Sequence, residues 1–147
     1  MERGFAGATI RVEARGEHAA HVEVSAGLDG LEIGRAQERD GRVVAHAPLW
    51  DRGYSGEQID LENAYVRGIA LALSGDDAPA HLTVGAPSIA SLGFPDHPAA
   101  LVALSTLARE AYERAPALSE ITLLVDPADA PVFEAAFSEW SDTMLGT

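Results

Sequence analysis

From residue 42 onward the chain alternates between two kinds of apolar spacing, and this limits the fold more than any other feature. RVVAHAPLW (42–50) holds a continuous apolar run at Val43–Ala47 that ends at Pro48, and HLTVGA (81–86) and EITLLVD (120–126) are runs of the same kind. Short continuous runs of this sort suit strands buried inside a sheet. Between and after them lie stretches with helical periodicity. In 57–74 (EQIDLENAYVRGIALALS), Leu61, Ala64, Tyr65, Gly68, Ile69 and Ala72 share one face. In 96–115, Leu101, Leu104, Ala108, Ala111 and Tyr112 are read as the inner face; in 128–140 it is Val132, Phe133, Ala136, Phe137 and Trp140. Strand followed by helix, three times over, predicts an α/β fold with helices on both faces of the sheet.

Boundary signals agree with this reading. Gly75 is the expected residue just past the first helix, Asp96 the N-cap of the second with Pro98 just inside, and Pro116 its end. The first 41 residues are β-rich. ATIRVEA (8–14) alternates through Ile10 and Val12, RGEH turns, and HVEVSA (21–26) alternates through Val22 and Val24. The two read as a hairpin or as neighbouring strands. GLEIGRA (30–36) is a short candidate strand, and RDG (39–41) signals a turn. With 147 residues and no repeat, low-complexity tract or linker, one domain is expected.

Composition removes several chemistries. Cysteine is absent, so disulfides and thiolate catalysis are excluded. All ten basic residues are arginine, which removes Schiff-base chemistry and a phosphate-binding P-loop lysine. The net charge of −13 disfavours a nucleic-acid partner and suits a basic protein partner. No apolar run approaches the roughly 20 residues of a membrane span, and the opening MERGFAGATIRVEARGEH has no signal-peptide core. A cytoplasmic location without membrane contact is the expectation.

One loop invites a functional reading. GAPSIASLGFP (85–95) joins a buried strand to a helix start and is built largely of small residues. Such a loop presents backbone N–H groups to an anion, or it is a tight packing turn; physics alone leaves both open. His18 and His21 lie three apart beside Glu17 and Glu23, but in β or turn geometry they point to different faces, so no metal site is expected. His46 is read as a hydrogen-bonded buried histidine, Asp76-Asp77 as a solvated turn, and Trp50, Tyr54 and Trp140 as packing aromatics. Spacing brings none of Ser25, Ser88 or Ser91 to a base, so no Ser–His–Asp site is argued.

Over about residues 42–140 the chain resembles the macro domain, the ADP-ribose-binding α/β/α module. RVVAHAPLW is similar to the family's V-I-H-x-x-x-P strand, and LENAYVRGIALAL to its Leu-x-x-x-Tyr helix. HLTVGAPSIASLGFPDHPAALVAL resembles the strand, the P-x-I-S-T-G-x-x-G-[YF]-P loop and the following helix, and EITLLVDPADAPVFEAAF the closing pair. The departures cluster at the ligand loops. The diphosphate loop is about two residues shorter, keeping Gly93, Phe94 and Pro95 but losing Thr-Gly. Gly16-Glu17 stands for the family's early Gly-Asp, and Ser25-Ala26-Gly27-Leu28-Asp29-Gly30 replaces the N-A-A-N stretch and its glycine-rich loop.

The resemblance implies a three-layer α/β/α domain with a mixed sheet of about five or six strands. It implies a non-catalytic or weakly catalytic binder of ADP-ribose or a related nucleotide, with no cofactor and no metal. The implied contacts are Pro87, Ser88, Ile89, Ala90, Ser91, Leu92, Gly93 and Phe94 across the ligand, Ser25 and Gly27 opposite, and Glu17, Asp126 and Phe133 toward the base. The alternative is a degenerate scaffold acting as an acidic protein-interaction module with no nucleotide.

Overall fold

The computed structural model describes residues 2–5, 8–16, 19–50, 56–75, 77–114 and 117–144. The strands are β1 (Glu2–Phe5), β2 (Ala8–Ala14), β3 (Val22–Ser25), β4 (Ala36–Arg39), β5 (Arg42–His46), β6 (His81–Gly85) and β7 (Glu120–Val125). The helices are α1 (Glu57–Ala72), the single turn α2 (Ile89–Leu92), α3 (Asp96–Arg114) and α4 (Ala130–Met144). All seven strands form one mixed sheet in the order β1-β2-β7-β6-β3-β5-β4. The interior pairings are parallel, and antiparallel β1 and β4 close the two edges.

The β-rich start divides differently from the sequence expectation. β2 and β3 are not neighbours: β7 and β6 lie between them. Alternation shows that a segment is half-buried but says nothing of which strand pairs with it. β1, for which no strand was expected, pairs with β2 from Glu2↔Arg11 to Phe5↔Ala8. The strand expected over 30–36 begins only at Ala36, because Gly34 at φ 83° turns the chain first. The RDG turn is a two-residue hairpin: Asp40 and Gly41 take φ of 52° and 79° between Arg39 and its partner Arg42.

One apolar core lies on one face of the sheet. Ile10, Val12, Val22, Val24, Val43, Ala45, Leu82, Val84, Ile121, Leu123 and Val125 share a cluster with Leu61, Tyr65 and Ile69 of α1, Leu104 and Leu107 of α3, and Phe133 and Phe137 of α4. α1 packs on β3, β4 and β5, while α3 lies between α1 and α4 and covers β1, β2 and β7. The buried stripe of α3 is alanine-rich (Ala99, Ala100, Ala103, Ala108 and Ala111) and turned away from Leu101 and Tyr112, which are 36% and 65% exposed. A helix wedged between two others needs small residues on both flanks, which moves its inner face off the larger side chains. α3 also begins at Asp96 itself, with the Ala99 N–H donating to the Pro95 carbonyl (3.2 Å), so Asp96 lies inside the first turn rather than capping it.

The opposite face is polar. By register it carries Thr9, Arg11 and Glu13 of β2, Glu120 and Thr122 of β7, His81 and Thr83 of β6, and Glu23 of β3. Arg11 is ion-paired there with Glu2 (2.8 Å), Glu13 (3.8 Å) and Glu120, and His81 approaches Glu120 (3.2 Å). Predominantly parallel sheets usually bury both faces under helices. The α/β fold and mixed central sheet are those expected; among the described residues α1, α3 and α4 pack against the apolar face, and ion-paired side chains occupy the other.

Candidate ligand rim

Parallel strands end on the same side, so Ala14, Ser25, His46, Gly85 and Val125 close one rim of the sheet. In open α/β sheets the crevice forms where connections leave neighbouring strands in opposite directions. Here that point lies between β3 and β6. They pair only at Val22↔Val84 and Glu23↔Gly85, after which β3 continues beside β5 to Ser25↔His46.

The 86–95 loop forms one wall. Ala86 N–H donates to the Leu124 carbonyl (2.9 Å), anchoring the exit from β6. Ser88, at φ −63° and ψ 138°, caps α2, its hydroxyl accepting from the Ser91 N–H (3.1 Å). Gly93 ends the turn at φ 71°, a left-handed conformation that suits glycine, with its N–H on the Ile89 carbonyl (3.1 Å). The shortened loop is therefore a single helical turn. Its apolar members face inward: Ile89, Leu92 and Phe94 are buried. Phe94 meets Trp50 edge-on with ring centroids 5.0 Å apart, and Trp50 N–H donates to the Leu92 carbonyl (2.8 Å). Pro87 and Ser88 are half-buried, while Ala90, Ser91 and Gly93 are exposed. The Ile89 N–H is engaged by a carboxylate of the same chain, Asp129 Oδ2, at 2.9 Å.

The facing wall is the 26–34 segment that follows β3. The Ser25 carbonyl accepts from Ala47 N–H (2.8 Å), and Gly27 is exposed at φ 72°. His46 ties this segment down through both ring nitrogens. Leu28 N–H donates to Nε2 (3.2 Å), which requires a lone pair there, so Nδ1 carries the proton and donates to the Leu31 carbonyl (2.6 Å). The histidine is hydrogen-bonded as expected, though half-buried rather than fully so.

Near the same rim, on the polar face of the sheet, lies a pair that sequence reasoning did not single out. Arg15 Nη1 donates to Glu23 Oε1 (2.9 Å) and Nη2 approaches Oε2 (2.9 Å), a two-pronged contact, while Nη2 also reaches the Ala86 carbonyl (3.4 Å). From the end of β2 the arginine passes across β7 to reach β6 and β3. The pair lies against Gly85, where a Cβ would collide with the guanidinium and the carboxylate. The available signal was Glu23 between Val22 and Val24, a charge on the second face of a buried strand. Nothing local linked it to Arg15 or to Gly85.

The remaining expected residues divide. Asp126 turns the chain into α4: its Oδ1 accepts from Ala128 N–H (2.9 Å) and its carbonyl from Asp129 N–H (2.8 Å). Phe133 is 1% exposed and belongs to the core. Glu17, His18 and Tyr54 lie outside the described residues, and of Asp76-Asp77 only Asp77 is described, where it is exposed. His21 Nδ1 accepts from Thr83 N–H (3.0 Å), which makes it part of the sheet's hydrogen bonding. Tyr65 is buried under the rim on α1, and desolvation raises its phenol pKa well above 10.0, against a smaller opposing influence of Arg15.

A mixed sheet with parallel core strands and helices between them defines an open-sheet α/β fold. The particular fold is that of the macrodomains. The Oceanobacillus iheyensis macrodomain with ADP superposes with a TM-score of 0.81 at 15% identity, covering 98% of this chain and 97% of that one. A mutant of the same macrodomain with ADPR gives 0.78 at 14% identity over 97% and 98%. The Trypanosoma brucei macrodomain in complex with ADP gives 0.65 at 15% identity, covering 90% of this chain and 69% of that one. No family model matches the chain, and no curated protein matches it in sequence. At these identities the likeness is one of fold.

Proposed function

We propose that this chain is a macrodomain-fold module that binds ADP-ribose or a related nucleotide at the carboxyl rim without hydrolysing it. The observation that carries the reading is the superposition, over nearly the whole chain, on macrodomain structures that hold ADP and ADPR. The rim supports it with a strand switch point between β3 and β6, near which Gly27, Ala90, Ser91 and Gly93 are exposed and Ser25 is half-buried. What stands beyond β3 supports a non-catalytic or weakly catalytic module. Ser25-Ala26-Gly27 supplies no amide side chain to hold a ribose, and His46 has both ring nitrogens engaged by Leu28 and Leu31, leaving neither to activate a water. Calorimetric titration with ADP-ribose, ADP and AMP tests the reading. Saturable heat with ADP-ribose, and no product after prolonged incubation, is the expected result.

A second reading has its own support. Asp129 on the Ile89 N–H, and Leu92 and Phe94 packed with Trp50, fill the wall where a ligand would lie. A closed wall suits an acidic scaffold that docks a protein partner. No heat with any nucleotide, together with a specific complex captured from the source cell, would favour that reading over the first.

A further inference from the structure

We propose that Arg15 is the anion-reading group of the rim and that Glu23 is its resting counter-ion, which a ligand phosphoryl group displaces or shares; this rests on the nucleotide-binding reading above. Three observations carry it. First, Arg15 sits where the rim opens, joining the two strands whose separation makes the crevice: its guanidinium contacts Glu23 on β3 and the Ala86 carbonyl at the exit from β6. Second, the pair lies directly against the β6 backbone at Gly85, where a Cβ would meet the guanidinium and the carboxylate. Third, the guanidinium is not used up. It has five N–H donors; the contacts to Glu23 and Ala86 occupy both N–H of Nη2 and one of Nη1, which leaves Nε–H and one Nη1–H, and the side chain remains 31% exposed.

Charge gives such a cation a role in anion binding. A surface with a net charge of −13 repels a diphosphate, and a cation held locally in place offsets that repulsion. Lysine is absent from the chain, and a planar fork matches phosphate oxygens as it matches a carboxylate. Glu23, 18% exposed, competes for the same donors. Its neutralisation is therefore expected to tighten binding, whereas a purely structural pair would give no gain when broken.

The test compares four forms of the full chain, each shown to be folded by its circular dichroism and cooperative melt. They are the wild type, Glu23→Gln, the double variant Arg15→Met with Glu23→Gln, and Arg35→Met as a control. The double variant removes both charges together and so avoids stranding a partly buried carboxylate; Arg35 is 59% exposed and paired only weakly with Glu32 (3.9 Å). Each form is titrated with ADP-ribose and with inorganic pyrophosphate. Glu23→Gln should bind both roughly tenfold more tightly, the double variant at least roughly tenfold more weakly than wild type, and the control as wild type. If wild type binds ADP-ribose and the double variant binds it equally well, Arg15 has no such role and the nucleotide reading stands without it. If the folded wild type and Glu23→Gln bind neither probe, the nucleotide reading falls and the assignment of Arg15 falls with it.

Discussion

Gly85→Ala isolates the Arg15–Glu23 pair from the rest of the rim. A Cβ at position 85 falls inside contact distance of both the guanidinium and the carboxylate, so the pair must lift from the β6 backbone. Lifting it weakens a two-pronged, charge-assisted contact. With side chains 31% and 18% exposed, solvent screening holds that cost to about 1–2 kcal/mol. Against it, alanine loses less backbone freedom on folding than glycine, a gain of at most about 0.5–1 kcal/mol at this last residue of β6. The net expectation is a loss of up to about 1.5 kcal/mol in the wild-type background. When Arg15 and Glu23 are both alanine, the collision is gone and the same substitution should stabilise by about 0.5–1 kcal/mol. The assay is urea unfolding of the four proteins of this cycle, with stability read from midpoints at constant slope. The sign should reverse between backgrounds, and equal effects in both would refute the claim that Gly85 exists to seat the pair.

Three further outcomes follow from the packing and the titratable groups. Folding raises the Tyr65 pKa by burial, so above the ordinary value of 10.0 the unfolded chain releases a proton that the folded one retains, and stability falls as pH rises beyond that point. Since the chain has no lysine, tyrosine dominates this range, and Tyr65→Phe should flatten the alkaline decline in urea midpoint. Asp129→Asn weakens the contact that holds Ile89, and amide exchange should accelerate at Ile89 through Gly93 while the β6 and β7 amides remain protected. Gly68→Ala places a Cβ 2.7 Å from Val22 Cγ1 and 3.3 Å from Ala45 Cβ, where α1 lies closest to the sheet. Overpacking of about 1–3 kcal/mol outweighs a helix-propensity gain of about 1 kcal/mol, so its thermal midpoint should drop.

The elements from residue 42 onward were legible because each carries its own periodicity: β5, α1, β6, α3, β7 and α4 lie where the spacing puts them. The order of the strands was not. β2 and β3 look like partners in the sequence, yet β2 pairs with β7 more than a hundred residues later, and no local pattern encodes such a pairing. The polar second face was written in the chain and passed over. Thr9, Arg11 and Glu13 alternate with Ile10 and Val12, and Glu23 stands between Val22 and Val24, the pattern of one-sided burial rather than of strands covered on both sides. The continuous run in β7 masked it, because Thr122 and Leu124 are only 8% exposed on the face that carries the charges. At the rim, the loop was found through its small residues and its Gly-Phe-Pro end. Its internal closure was not, because Asp129 reaches Ile89 from 40 residues away and Arg15 reaches Ala86 from 71.

The central claim is that a nucleotide lies across the carboxyl rim, and an amide correlation spectrum of the labelled protein titrated with ADP-ribose tests it most directly. Saturable shifts should gather at Ser25–Gly27, Ser88–Phe94 and Asp126–Asp129, with the edge strands β1 and β4 and the outer face of α3 unmoved. An unchanged spectrum, or shifts confined to the α1 end of the sheet around Ser74 and Arg42, would contradict it.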